Sequence, residues 1–301
     1  MRELNVAVVQ MAVKFNDVEA NLVAISEWIR RVATEQKVDL IVFPELCTTG
    51  YECGVRFVDF AQRIPGPSTN LIAQRASDFG VHVAFGIAAK EKVESVLYNA
   101  AVLVGPDGDL VGDYRKVHLK GEERLAFRAG FKFPLIETDF GNVGLMLGWD
   151  VAFPEVARTY ALDGADLLIA CANWEKPNEE EWRTYLLARA YENTCFVAAA
   201  NRIGTDATLS FCGQSMIVGP RGKVYAAVEN DRVEIPPEAH TAAPHAAAPV
   251  SAAPVGAIVE QEVEGYAVAR IDLDEVRRQR EELQILQARQ PSAYRSIVKQ
   301  Y

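Results

Sequence analysis

Apolar residues in this chain fall in short, β-branched runs, and between the runs lie stretches whose apolar positions recur every three or four residues. The first period marks strands and the second helices. Leu4–Ala12 reads as a mostly apolar strand. Asn16 or Asp17 can cap the helix that follows, whose Val18, Leu22, Ile25, Ile29 and Val32 share one face. Val38–Phe43 predicts a short strand ending at Pro44-Glu45, and a helix near Ser68–Phe79 leads into a strand at Val81–Ala88. A hairpin follows: Val96–Val104, the turn Gly105-Pro106-Asp107-Gly108, then Asp109–Tyr114.

The second half repeats the style. Strands are predicted at Pro134–Thr138 and Asn142–Leu147, a helix from Phe153, a strand at Asp166–Ala170, a helix from about Asn178 to Asn193 and a strand at Cys195–Asn201. Another hairpin, Gly213–Gly219 with Lys223–Val228 across Pro220-Arg221-Gly222, echoes the Gly-Pro-x-Gly turn of the first. Ile235–Ile258 is rich in Pro and Ala, with almost no charge and no amphipathic period, and reads as a poorly ordered excursion. Its His240 and His245 lack the Cys or carboxylate companions of a metal site. Gln261–Ile271 predicts a strand, and Asp272–Arg289 a helix capped by Asp272 or Asp274. The tail from Gln290 reads as an arm over a surface. Strand–helix alternation with two hairpins predicts an α/β protein in which two sheets pack face to face with helices outside.

Composition narrows the function classes. At 50% hydrophobic and 24% charged residues, the 301-residue chain can bury a sizeable core as two ordinary domains or one large one. A net charge of −10 disfavours nucleic acid and anionic lipid as partners. No 18-residue apolar run predicts a membrane span, and no signal-peptide pattern follows Met1. Five scattered cysteines fit reduced thiols, so a cytoplasmic setting is expected.

Chemistry concentrates in four stretches. In Gly141–Glu155 a buried strand meets a tight turn at Gly148-Trp149-Asp150 and then a helix opening near Phe153-Pro154-Glu155. Such a junction can present one residue above a sheet edge. Glu45 follows a buried strand directly, in Phe43-Pro44-Glu45-Leu46-Cys47-Thr48-Thr49-Gly50-Tyr51; alone it is as readily a surface acid as a site residue. Lys116 lies in Tyr114-Arg115-Lys116-Val117-His118-Leu119, and Glu123 seven residues before Gly130. Cys171-Ala172-Asn173-Trp174 ends the next strand.

Together these stretches resemble the nitrilase, or carbon–nitrogen hydrolase, superfamily, in its amidase-like branch. The resemblance runs from Leu4 to about Asp272. The family's nucleophile motif is Cys, an aromatic residue, Asp, two variable positions, then Phe-Pro-Glu; every fixed position matches except the first, where this chain has Gly148. The resemblance implies a four-layer α-β-β-α sandwich. It makes Glu45 the general base, Lys116 an oxyanion-stabilising cation, and Glu123 the residue orienting Lys116 and the incoming amide. It implies that Tyr51, Trp149, Asn173 and Trp174 bind substrate, and that the Trp149 N–H joins the oxyanion hole. A charge aimed at a developing oxyanion is worth about 3–4 kcal/mol in acyl transfer. The helix Trp182–Asn193 also resembles the family's, its charges pairing at helix spacing.

The implied enzyme hydrolyses a small linear carboxamide to acid and ammonia through a thioester, with nitrilase or N-carbamoyl amide hydrolase activity as the alternatives. No metal or organic cofactor is implied, and the family predicts a homodimer joined by the helices near residues 155–164 and 178–193 and by the tail. Residues 1–272, with the insert at about 235–258, are expected to form the hydrolase domain, and 273–301 an interface helix and arm. Gly148 cannot be a nucleophile. Three accounts of it stand side by side: a hydrolase whose nucleophile has been removed, a natural non-catalytic homologue that binds a ligand or partner, or catalysis by another residue, for which Cys171 and Cys47 are nearest.

Overall fold

A computed structural model describes residues 2–91, 96–234, 258–261 and 263–299. The chain order is β1 (Glu3–Gln10), α1 (Val18–Glu35), β2 (Leu40–Val42), α2 (Phe57–Phe60), α3 (Pro67–Phe79), β3 (His82–Lys90), β4 (Leu97–Val104), β5 (Leu110–Arg115), α4 (Glu123–Ala126), β6 (Leu135–Glu137), β7 (Asn142–Leu147), α5 (Pro154–Asp163), β8 (Leu167–Ala172) and α6 (Glu179–Asn193). It continues with β9 (Phe196–Asn201), β10 (Ile203–Thr205), β11 (Ser210–Cys212), β12 (Met216–Val218), β13 (Val224–Ala227), β14 (Asp231–Glu234), β15 (Ile258–Gln261), β16 (Gly265–Asp272) and α7 (Asp274–Leu283).

Two six-stranded sheets carry the architecture, in the orders β16-β1-β2-β3-β4-β5 and β13-β12-β9-β8-β7-β6. Their inner faces meet through Val6, Val8, Leu40 and Val42 on one side and Leu145, Leu147, Ile169 and Ala198 on the other. The alternate residues of the first sheet, Ala7, Val9, Ile41 and Phe43, pack outward on Ile25, Ile29 and Val32 of α1 and Ile72 and Ala76 of α3. Met146, Leu168 and Val197 do the same against Val156 and Tyr160 of α5 and Trp182 and Leu186 of α6. With both faces covered, the central strands are apolar on each side, hence the continuous rather than alternating runs. The architecture is the expected α-β-β-α sandwich.

Local expectations mostly hold. Asp17 caps α1, accepting from the Ala20 N–H at 3.0 Å, and Pro154 opens α5. The last helix is shorter than expected: it ends at Leu283 rather than Arg289, where Gln284 takes a left-handed conformation. Its start belongs to the core, since Leu273 and Val276 are buried between the sheets. The Pro/Ala-rich insert, with His240 and His245, lies outside the described residues except for Ile258. No described helix is long and apolar enough to cross a membrane.

Candidate active site

Glu45 is held where it is by the strand next door. The ladder continues past β2, with the Phe43 N–H donating to Ala84 O at 2.8 Å and the Gly86 N–H to Pro44 O at 3.0 Å. A side chain on Gly86 would lie 2.5 Å from the Glu45 Cα, so only glycine lets this turn lie flat on β3. The carboxylate then points into the space between the sheets, with the Glu45 and Lys116 side chains only 1% and 2% exposed.

Lys116 leaves the end of β5 and meets two carboxylates. Its Nζ donates to Glu45 Oε1 at 2.7 Å and to both Glu123 oxygens at 2.8 Å. Asn99 on β4 spans the same pair, its Nδ2 donating to Glu45 Oε1 at 2.7 Å and Glu123 Oε1 at 2.8 Å. The Lys120 N–H holds the other Glu123 oxygen at 2.9 Å, and the Asn173 N–H donates to Glu45 Oε2 at 3.1 Å. Burial is the main force on Glu45: it pushes the carboxyl up to about 7, Glu123 adding to the shift and Lys116 opposing it. Burial pulls the Lys116 ammonium down, but Glu123 and Glu45 outweigh it and hold it well above the ordinary lysine range.

Gly148 begins a tight 3-10 turn, Gly148–Ala152, that follows β7. Its φ of +40° is the left-handed region in which a side chain is strained, as at the nucleophile elbow of other hydrolases. A Cβ there would lie 2.4 Å from Glu45 Oε2. The carboxylate therefore already fills the space that a side chain at 148 would need.

Asp150 secures the turn. It accepts from the Leu147 N–H at 3.1 Å and the Tyr114 hydroxyl at 2.8 Å, and from the His118 N–H at 3.1 Å. His118 in turn stacks on Phe153, ring centroids 3.7 Å apart. Tyr114 and His118 thus tie the Lys116 stretch to the Gly148 turn. Arg189 of α6 pairs with Glu192 at 2.7 Å, the helix-spaced pairing the sequence suggested, and also braces the turn from behind, donating to Val151 O at 2.8 Å and Ala152 O at 3.1 Å.

A narrow pocket with room for about one water opens over the cluster, lined by Glu45, Tyr51, Lys116, Lys120, Gly148, Trp149, Asn173, Trp174 and Glu175. Seven of the eight residues singled out from the sequence line it, and the eighth, Glu123, backs Lys116. Asn99, Lys120 and Glu175 went unremarked; only Asn99 leaves a trace in the sequence, an amide inside the apolar run Leu97–Val104. Cys47 and Cys171 are fully buried, one outside the first sheet and one between the sheets. Burial pushes the Cys47 thiol up to about 12 and that of Cys171 well above the usual range, so neither offers a thiolate. Among the described residues no cluster of three or more His, Cys, Asp or Glu could hold a metal ion.

Comparison with known proteins identifies the family. The carbon–nitrogen hydrolase family model matches residues 5–235. A probable nitrilase of Schizosaccharomyces pombe is 45% identical over 231 residues, 76% of this chain and 85% of the relative. A 2-oxoglutaramate amidase of Bacillus subtilis is 34% identical over 190 residues, 62% of this chain and 73% of the relative. A carbon–nitrogen hydrolase from Helicobacter pylori G27 shares the fold, with a TM-score of 0.83 at 22% identity and 99% of both chains covered. The chain belongs to the carbon–nitrogen hydrolases of the nitrilase superfamily, enzymes that act on amides.

Proposed function

We propose that this chain is the framework of an amidase for a small linear carboxamide, lacking the nucleophile at position 148. One observation carries the reading. Glu45, Lys116 and Gly148 line one pocket, where the Lys116 ammonium donates to the Glu45 carboxylate at 2.7 Å and a side chain at position 148 would be aimed at that same carboxylate.

In the Gly148→Cys form, Glu45 takes the thiol proton, and the thiolate attacks the carbonyl carbon of the amide. Lys116 and the Trp149 N–H balance the charge that gathers on its oxygen. The C–N bond breaks, Glu45 returns the proton to the departing nitrogen, and ammonia leaves. Water activated by the same carboxylate then cleaves the thioester, giving the acid and the free thiol. A base near pH 7 suits both proton transfers, which the raised Glu45 supports. Glu123 keeps Lys116 charged and aimed. The chain with Gly148 performs none of these covalent steps.

The names of relatives divide between nitrilase and amidase. The Asn173-Trp174 stretch at the pocket favours an amide, and a nitrile or a carbamoyl amide is the alternative. We also read the protein as a homodimer joined through α5, α6 and the tail. The 3-10 segment Pro291–Val298 is exposed along residues 291–297 on a lone chain, as an arm reaching a partner would be.

The test is ammonia release from a panel of small amides and nitriles by the chain and its Gly148→Cys variant. Turnover by the variant alone supports the reading, and the panel names the substrate class. Turnover by the unaltered chain would overturn the three-residue mechanism. A variant that is folded, binds amides and still releases no ammonia would favour a non-catalytic binding protein.

A further inference from the structure

We infer that the Asn173 side chain holds the water that cleaves the thioester, in a seat beside Glu45; the inference rests on the amidase reading of the same site. Asn173 stands one step past β8 and keeps its alternation. Ile169 and Cys171 face the space between the sheets, while Ala170, Ala172 and Trp174 face the helices. Asn173 therefore turns inward, as Glu45 does. It is 5% exposed and lines the pocket. Neither its Oδ1 nor its Nδ2 has a hydrogen-bond partner among the described residues, and of those that line the pocket it alone carries buried side-chain atoms left this way.

Asn201 shows how the same architecture treats an asparagine that serves the fold. Buried at the end of the next strand, it accepts from the Trp174 N–H at 2.7 Å and donates to Gly213 O at 2.8 Å. A buried amide with both ends unpaired costs stability unless a small polar molecule supplies the bonds. The pocket has room for about one water, and a buried water needs little more than its own volume and about two to four polar partners. The Asn173 amide offers a donor and an acceptor.

Glu45 offers the third contact, because its two oxygens are not equivalent. Oε1 accepts from Lys116 and Asn99, each at 2.7 Å. Among the described residues Oε2 accepts only the Asn173 N–H, at 3.1 Å, and it is the oxygen that a side chain at position 148 would meet. Oε2 thus faces both Asn173 and the residue that would carry the thioester, with a lone pair to spare.

A water seated there is aligned for one reaction. Its oxygen bonds to the thioester carbonyl carbon as one of its protons passes to Glu45 Oε2. The C–S bond breaks when the adduct collapses, the sulfur takes the proton from Glu45, and the acid is released. Asn173 fixes the oxygen throughout by accepting from the proton that stays. Ammonia is about the size of water, so water takes the place the leaving nitrogen has given up. The acyl group needs further room, which comes from the mouth, where Lys120 pairs with Glu175 on a flexible stem and their side chains are 38% and 18% exposed.

The water is visible without catalysis. In a crystal structure of the unaltered chain, one ordered water is expected within hydrogen-bond reach of the Asn173 amide and Glu45 Oε2, and a dry seat overturns the inference. In the Gly148→Cys form, adding Asn173→Ala should leave acylation intact and slow release of the acid. With propionamide, kcat is expected to fall by about a hundredfold and KM with it, so that kcat/KM stays within about twofold. Ammonia should then appear as a burst stoichiometric with sites, and the propionyl adduct should accumulate on the protein in intact-mass spectra. Equal falls in kcat and kcat/KM without an adduct overturn the inference, since Asn173 would then serve the amide or the fold. Unchanged kinetics overturn it too. If Gly148→Cys with Asn173 intact releases no ammonia, the amidase reading is what has failed, and the inference falls with it.

Discussion

Strands β1-β2-β3-β4-β5 and β7-β8-β9-β12-β13 run in the same order, two parallel pairings followed by two antiparallel ones. Each series ends in a hairpin, and one residue past each hairpin the same backbone bond forms. The Lys116 N–H donates to Asn99 O at 2.8 Å in one, and the Val228 N–H to Ser215 O at 2.9 Å in the other. The two corners then diverge. The first holds Lys116 between Glu45 and Glu123 with Asn99 across them. The second puts Val228 into the core between the sheets, and its polar groups are neutral. There the Ser215 hydroxyl donates to Asn201 O at 3.0 Å, the Ser215 N–H to Gln10 Oε1 at 3.1 Å, and Asn201 Nδ2 to Gly213 O at 2.8 Å. One frame therefore closes equally well around ions or around amides and a valine. The fold does not call for the ions. They desolvate three ionisable groups, and a buried ion cluster is seldom the most stable way to fill such a space.

The sharpest way to test that contrast is to take away one charge and then all of them. Lys116→Met leaves two carboxylates buried with Asn99 alone between them, and is expected to lose about 3–5 kcal/mol of unfolding free energy in urea. The triple variant Glu45→Gln, Lys116→Met, Glu123→Gln makes the first corner neutral like the second. It should recover that loss and end between unchanged and about 1–4 kcal/mol more stable than the starting chain. A triple variant as unstable as the single one would mean that the fold does need its ions.

The same corner gives stability a pH dependence that the neutral corner lacks. Burial holds the folded Glu45 carboxyl up at about 7, above its unfolded value. The folded state therefore keeps a proton that the unfolded state releases. The stability this brings is complete below the unfolded value and is lost as pH rises through about 7. Urea midpoints of the unaltered chain and of Glu45→Gln should diverge over that interval, the unaltered chain falling by up to a few kcal/mol relative to the variant. Parallel curves would mean that Glu45 is ionised throughout.

Much of this was readable from the sequence, and what escaped did so for physical reasons. The layers followed from apolar runs, because strands covered on both faces must be apolar throughout. Glu45, Lys116 and Gly148 stood out through the stretches around them. Asn99 did not, because its value depends on β4 lying beside β3, whose Gly86 lies under Glu45, and pairings between strands leave no local mark. The meeting of Lys120 with Glu175 is likewise a product of two sheets packing. The early end of α7 at Leu283 was hidden because Gln284 and the residues after it are as good helix formers as those before.

The mildest probe lies in the neutral corner. Ser215 is fully buried, accepting from the Asn201 N–H at 2.9 Å while its hydroxyl donates to the carbonyl of the same residue. Ser215→Ala removes both bonds but keeps the Ser215 N–H to Gln10, and it strands one backbone donor and one acceptor without any charge. The expected loss is about 1–3 kcal/mol by urea melt, with no change in slope between about pH 4.5 and 7 relative to the unaltered chain. Set beside Lys116→Met, it isolates what charge adds to the cost of an unpaired group in the same architecture. If the two variants lose equal stability at neutral pH, the first corner's ions are no more demanding than the second's hydroxyl, and the contrast between the halves is one of chemistry alone.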